Sequence, residues 1–206
     1  MKDIPIIASA VGTKDKQHTF STLLRERKRA IQYGFYLYAI LIDYAMIEDR
    51  LLAMIYHMGF IKNYNDNKVY EKSKNDLKLY FKEHNICNNS IKYSINTVSD
   101  KCNLIKCVME WAYCSDNIGK KNKYLSALNS RCKKIPIDEF RNTFSSIMYW
   151  KEYRNEIIHA LMRKSINSLN TELEERIKDG LSLARALDKY GKRLKRGDYI
   201  RNAANL

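Results

Sequence analysis

Lys151, Arg154, Asn155 and His159 stand close together in the run YWKEYRNEIIHALM, Tyr149 to Met162. An arginine is a permanently charged fork suited to oxyanions, and an imidazole takes up and releases protons near neutral pH. At about 100° per residue around a helix, Phe140, Phe144, Ile147, Ile158 and Met162 share one apolar sector. Lys151, Arg154 and Asn155 fall inside that sector or at its edges. Asn155 and His159 are one turn apart and share a side, whereas Arg154 and His159 diverge by roughly 140° on the same geometry. Burying such groups costs free energy unless each finds a partner. One reading is structural: a carboxylate on a neighbouring helix, Glu48 or Asp49, orients and neutralises Arg154, and His159 is a satisfied boundary residue. The other is a ligand site, in which a neighbouring helix, a bend or a second copy of the chain brings Arg154 and His159 together.

The elements that must position this cluster read as helices. Only 7 Gly and 2 Pro interrupt 206 residues, which favours an all-α fold over a turn-rich sheet. Residues 1–20 read as an irregular leader, 21–196 as a single helical-bundle domain and 197–206 as a basic C-terminal tail. Ser21 to Met58 is strongly helical, and Gly34 divides it, because glycine weakens a helix interior by about 1 kcal/mol relative to alanine. Beyond it, Leu37, Leu41, Tyr44, Glu48, Leu51 and Ile55 recur at helical spacing. Gly59 to Asn67 reads as a loop and Val69 to Asn85 as a short basic helix; Ile86 to Thr97 fits either a hairpin or a frayed helix. Ser99 is the expected cap of a helix running to Cys114, and Tyr124 to Lys134 forms the next. Glu139 to Lys164 is a long unbroken helix after Pro136. Asn167 to Asn170 form a turn, and Thr171 with Glu174 has the spacing of a capping box for the last helix. The expected architecture is an up-and-down bundle of five to seven mainly antiparallel helices.

The formal charge is +14, from 37 Lys and Arg against 23 Asp and Glu, which favours a polyanionic partner. The densest basic patches are Arg25, Arg27, Lys28 and Arg29 near the start, and Lys192, Arg193, Lys195 and Arg196 near the end. They read either as contacts to an RNA backbone or as solvated helix faces. Five cysteines without a CxxC pair suggest neither a disulfide framework nor a zinc knuckle, and a reducing, cytoplasmic setting fits them. No apolar run reaches membrane-spanning length, and no Walker A, dinucleotide, EF-hand or HExxH pattern occurs. No metal or other cofactor is expected.

The segment Arg154-Asn155-Glu156-Ile157-Ile158-His159 resembles the RNxxxH signature of the HEPN superfamily. The resemblance covers six residues. It implies a small helical bundle with the signature on a late helix, and a metal-independent endoribonuclease of a toxin-antitoxin, abortive-infection or CRISPR-linked type. It also implies a homodimer whose two motifs line one cleft. In that setting His159 is the general acid or base for attack of a ribose 2′-hydroxyl on the adjacent phosphate, Arg154 holds that phosphate, and Asn155 orients His159 or touches the phosphate. The products carry a 2′,3′-cyclic phosphate and a 5′-hydroxyl. Lys151 is an added candidate for an auxiliary phosphate contact. An antitoxin or other regulatory protein is an implied partner, although Leu161 stands where relatives controlled by tyrosine modification carry that tyrosine. Some relatives keep the bundle without the enzyme, so an inert RNA-binding or protein-interaction subunit is the alternative.

Overall fold

Among the residues that the computed structural model describes, 13–64, 66–84, 93–115, 122–160, 163 and 166–206, all regular structure is helical. The helices are α1 (Thr13–Gln32), α2 (Tyr36–His57), α3 (Glu71–Glu83), α4 (Val98–Cys114), α5 (Lys123–Cys132), α6 (Ile137–Ala160), α7 (Ile166–Lys195) and α8 (Tyr199–Ala204). A short 3-10 turn, Arg196–Asp198, links the last two. None of the described helices is long and apolar enough to cross a membrane.

Gly34 does separate α1 from α2: its φ of 72° lies in the left-handed region. The turn is closed by the Phe35 amide donating to the Ala30 carbonyl at 2.8 Å. The leader, however, is shorter than expected, since α1 begins at Thr13. The run from Thr13 to Phe20 has no breaker, and lysine and glutamine propagate a helix well. Residues 1–12 lie outside the described part. At the start of α4 the cap is Thr97, two positions before the expected Ser99. Thr97 Oγ1 accepts from the Asp100 amide at 3.1 Å, and the Asp100 carboxylate accepts from the Thr97 amide at 3.2 Å, a reciprocal capping box.

The expected turn at Asn167 to Asn170, and a start capped by Thr171, also give way to continuous helix from Ile166. Asparagine and serine cost only tenths of a kcal/mol in a helix interior. The buried stripe Leu173, Ile177, Ala184, Leu187, Tyr190 and Leu194 outweighs that cost.

Contacts between named residues fix the directions. Arg27 meets Asp43 while Arg50 covers Phe20, so α1 and α2 are antiparallel. Lys151 meets Ser99 and Arg141 meets Glu110, so α4 and α6 are antiparallel. Lys189 meets Glu139 at one end of α6 and Gly180 abuts Trp150 at the other, so α6 and α7 are antiparallel too. The pair α2 and α7 breaks the pattern. Asp43 sits beside Gly180, Arg50 pairs with Asp188 and Met54 approaches Gly191, which makes these two helices parallel. The core between them includes Leu51, Met54 and Ile55 of α2, Phe140, Phe144 and Ile147 of α6, and Leu187, Tyr190 and Leu194 of α7.

Close approach of α2, α6 and α7 depends on Gly180. A Cβ there would lie 2.7 Å from Asp43 Cβ and 2.8 Å from Trp150 Cζ2, well inside ordinary contact. Beside it, Arg27 and Asp43 form a buried pair, with Arg27 Nε donating to Asp43 Oδ1 at 2.6 Å and Nη2 to the Ile177 carbonyl at 2.5 Å. One side chain thereby ties α1 to α2 and α7.

The segment read as a basic tail is instead a packed closure. Ile200 and Ala204 of α8 are buried, and Arg201 is only 7% exposed. Its guanidinium donates to the carbonyls of Tyr56, Ile61 and Lys62 at 3.0, 2.9 and 2.8 Å and lies over the Tyr56 ring at 3.7 Å. Tyr56 is in the last turn of α2 and Ile61 and Lys62 are in the loop after it, so one cation ties α8 to both the carbonyl end of that helix and the loop.

Candidate active site where three helices meet

The cluster read from the sequence lies at the junction of α2, α4 and α6. The face of α2 that is fully buried runs through Ala39, Ile40, Asp43, Ile47, Leu51, Met54 and Ile55. Tyr44 and Glu48 are half-buried at its edge, and Leu41 is exposed. That edge faces the polar flank of α6.

Arg154 is half-buried and its guanidinium lies over the Tyr44 ring, 4.0 Å from the centroid. Nη1 donates to Asn155 Oδ1 at 3.0 Å. Nε is buried and finds no acceptor among the described residues. A ring face and a neutral amide orient the guanidinium without cancelling its charge. Among the described residues no carboxylate pairs with it.

The two carboxylates expected to orient Arg154 are engaged elsewhere. Glu48 accepts from Lys101 Nζ of α4 at 2.8 Å. Lys101 is only 5% exposed, so its ammonium needs that partner more than the half-buried Arg154 does. Asp49, one residue and about 100° further around α2, accepts from the Tyr64 hydroxyl at 3.0 Å and lies 4.0 Å from Arg50. Glu48 therefore reaches this junction but not Arg154, and Asp49 turns toward the loop after α2.

Lys151 donates to Ser99 Oγ at 2.7 Å and pairs with Glu152 at 2.7 Å. Ser99 is in the first turn of α4, so Lys151 sits at the amino end of that helix. Tyr44 lies among these charges. Burial raises its phenol pKa, the charge of Glu48 raises it further, and Arg154 and Lys151 oppose both. Burial also pushes the thiol of Cys102, which interacts electrostatically with Tyr44, up to about 12 and leaves it inert as a nucleophile.

Asn155 is joined to Arg154 rather than to His159, against the geometric expectation. The long arginine side chain bends along the helix surface to reach its neighbour's amide. His159 is exposed on the last turn of α6, and among the described residues no hydrogen bond ties it to Arg154 or Asn155. Within one chain the three signature residues thus form a held pair, Arg154 and Asn155, and a separate exposed imidazole.

The basic patches divide in the same way. Arg25, Lys28 and Arg29 are exposed, but Arg27 is 8% exposed and locked to Asp43, so it is not available to a backbone phosphate. Lys192 pairs with Asp188 at 2.6 Å, Arg193 is half-buried, and Lys195 and Arg196 are exposed. A cleft of 460 Å³ between α6 and α7, lined by Ser145, Tyr149, Trp150 and Asp179 among others, contains none of the signature residues. Among the described residues no three His, Cys, Asp or Glu side chains come together as metal ligands.

Tyr44 and Lys101 as parts of this junction, and Asp43 as the buried carboxylate, are not among the site residues expected from the sequence. Asp43 was legible in principle, because it lies on the helical line of Ile40, Ile47 and Met54. Comparison of the chain with known protein families, with curated proteins and with solved structures finds no match.

Proposed function

We propose that this chain is a metal-independent endoribonuclease in which Arg154 binds the scissile phosphodiester and His159 moves a proton. The observation that supports it most is the state of Arg154. A half-buried cation is held in one orientation by Tyr44 and Asn155, and among the described residues its Nε has no acceptor and no carboxylate neutralises it. An incoming phosphate oxygen supplies the missing acceptor and the missing charge.

The chemistry is in-line attack of a ribose 2′-oxygen on the adjacent phosphorus. The O2′–P bond forms, the P–O5′ bond breaks, the 2′-hydroxyl loses a proton and the departing 5′-oxygen gains one. His159, exposed at the end of α6, serves one of these transfers, and His159 of a second copy serves the other in a dimeric cleft. Arg154 stabilises charge developing on the non-bridging oxygens. Lys151 adds a phosphate contact at the amino end of α4.

Under this reading the protein is a cytoplasmic toxin or defence effector, restrained by an antitoxin or other regulatory protein. Product chemistry tests the mechanism. In EDTA, single-stranded RNA is expected to yield 2′,3′-cyclic phosphate and 5′-hydroxyl ends, with no cleavage at a 2′-deoxy position. Cleavage 3′ to a 2′-deoxynucleotide, or 5′-phosphate products, contradicts it.

One observation favours a second reading, an inert helical RNA-binding or scaffold subunit. Asn155 is committed to Arg154, and His159 stands apart from both within the chain. That reading expects RNA binding without turnover.

A further inference from the structure

Three aromatic rings stand in water where α1 turns into α2: Tyr33, Phe35 and Tyr38 are 69%, 64% and 51% exposed. Gly34, with its φ of 72°, lets the chain reverse between the first two. The rings of Tyr33 and Phe35 have centroids 6.5 Å apart and planes inclined at 39°. On the adjoining outer face of α1 stand Arg25, Lys28 and Arg29, all exposed. The side chains of Arg25 and Arg29 are 70% and 61% open to solvent. Among the described residues the carboxylate that meets them is Glu26, shared between the two arginines at 3.9 and 3.3 Å, so the cations of the patch outnumber it. Neither the core nor the junction around Arg154 uses these rings.

We propose that this turn docks single-stranded RNA, with bases stacked on Tyr33, Phe35 and Tyr38 and phosphates held by Arg25, Lys28 and Arg29. Exposed rings interleaved with unneutralised cations are the combination by which proteins hold single strands, since every base offers a flat face and every linkage a negative charge. The ring spacing selects the form of the strand. Bases stacked in a duplex rise about 3.4 Å per step, whereas the centroids of Tyr33 and Phe35 are 6.5 Å apart. Bases seated on both rings must be unstacked from each other, which a free strand permits and a duplex resists. An anionic lipid surface fits less well. The exposed aliphatic neighbours, Leu24 and Leu41, are each only 38% exposed, and two of the three rings carry a hydroxyl, so little apolar surface is offered for insertion. The inference rests on the ribonuclease reading only for the choice of RNA over DNA.

The test is fluorescence anisotropy in EDTA with the full-length H159A variant, which prevents turnover. The probe is a labelled oligoadenylate of about 12 nucleotides, within the site sizes of single-strand binders. An RNA duplex and a DNA strand of the same length, and vesicles containing phosphatidylserine, form the other arms. The RNA strand is expected to bind at least tenfold tighter than the duplex and than the DNA. Tyr33→Ala, Phe35→Ala and Tyr38→Ala are each expected to weaken it about fivefold or more, the low end for one base stacked on one ring. Their thermal midpoints should match the parent's, because the rings are exposed. Binding unchanged in the three ring variants, equal affinity for the duplex, or capture by vesicles alone overturns the proposal; equal affinity for the DNA strand overturns its assignment to RNA. If wild type binds the RNA strand through these rings but cleaves none, the docking surface stands and the ribonuclease reading falls.

Discussion

Replacing Gly180 with alanine tests the packing that holds α6, and with it Arg154, against α2. In an ordinary helix the change is favourable by about 1 kcal/mol, because alanine restricts the unfolded chain and propagates the helix. At this position the new methyl would lie 2.7 Å from Asp43 Cβ, 2.8 Å from Asp43 Oδ2 and 2.8 Å from Trp150 Cζ2. Carbon atoms in a packed interior sit about 3.5–4.0 Å apart, so α7 must move away by roughly 1 Å. Overpacking of this kind costs about 1–3 kcal/mol. The shift also strains the Arg27–Asp43 bond and the Arg27 bond to the Ile177 carbonyl, both on the same contact. The expected net effect is a loss of about 2 kcal/mol, or a fall in melting temperature of roughly 4–8 °C for a chain of this size. Gly191 of the same helix is the control. A Cβ there meets only Met54 Cγ, at 3.9 Å, so Gly191→Ala should stabilise by about 0.5–1 kcal/mol. Urea and thermal denaturation followed by circular dichroism reads both. Two substitutions of opposite sign in one helix support the packing; a Gly180→Ala protein as stable as the parent refutes it.

Other consequences follow from the same contacts. Burial raises the Asp43 pKa to about 6, against the lowering effect of Arg27, from an ordinary value of 3.8. Between those two pH values the folded state holds a proton that the unfolded state has lost, so the contribution of Asp43 to stability declines as pH rises through that window and is level above it. Denaturation curves of wild type and Asp43→Asn across pH 4–7 should show that decline in the wild type alone; parallel curves argue against it. Arg201→Ala removes three charge-assisted bonds to carbonyls and should cost about 3 kcal/mol in urea denaturation, whereas a mobile basic tail would lose nothing. Tyr44→Phe keeps the ring under Arg154 and should leave RNA cleavage within about threefold, while Tyr44→Leu removes it and should reduce cleavage more than tenfold with kcat falling more than KM rises.

The helices at the heart of this fold were legible because long periodic runs lack breakers. Phe140, Phe144 and Ile147 are all fully buried, as their spacing requires. Boundaries were read less well where weak local signals competed with packing. The asparagines at 167 and 170 resemble a turn in isolation, yet helix runs through them because the Leu173–Ile177 stripe continues α7 backward. Arg201 reads as part of a basic tail because composition does not reveal the carbonyls of Tyr56, Ile61 and Lys62 that converge on it. At the junction, the position of Arg154 on a packing edge followed from the helical period, but its surroundings did not. That Lys101 would claim Glu48, and that Tyr44 would underlie Arg154, depends on how three helices cross, which no single helix encodes. The mismatch between Asn155 and His159 has the same origin: the period places backbones, and a long side chain then selects its own partner.

The central question is whether Arg154 and His159 act on a phosphodiester. The most direct measurement is cleavage of single-stranded RNA in EDTA by wild type, R154A and H159A, each shown by circular dichroism to be folded. The expected result is turnover by wild type and a loss of at least a hundredfold in both variants, with RNA affinity kept in H159A. Cleavage that survives both substitutions, or that disappears from the wild type when EDTA is added, contradicts the account.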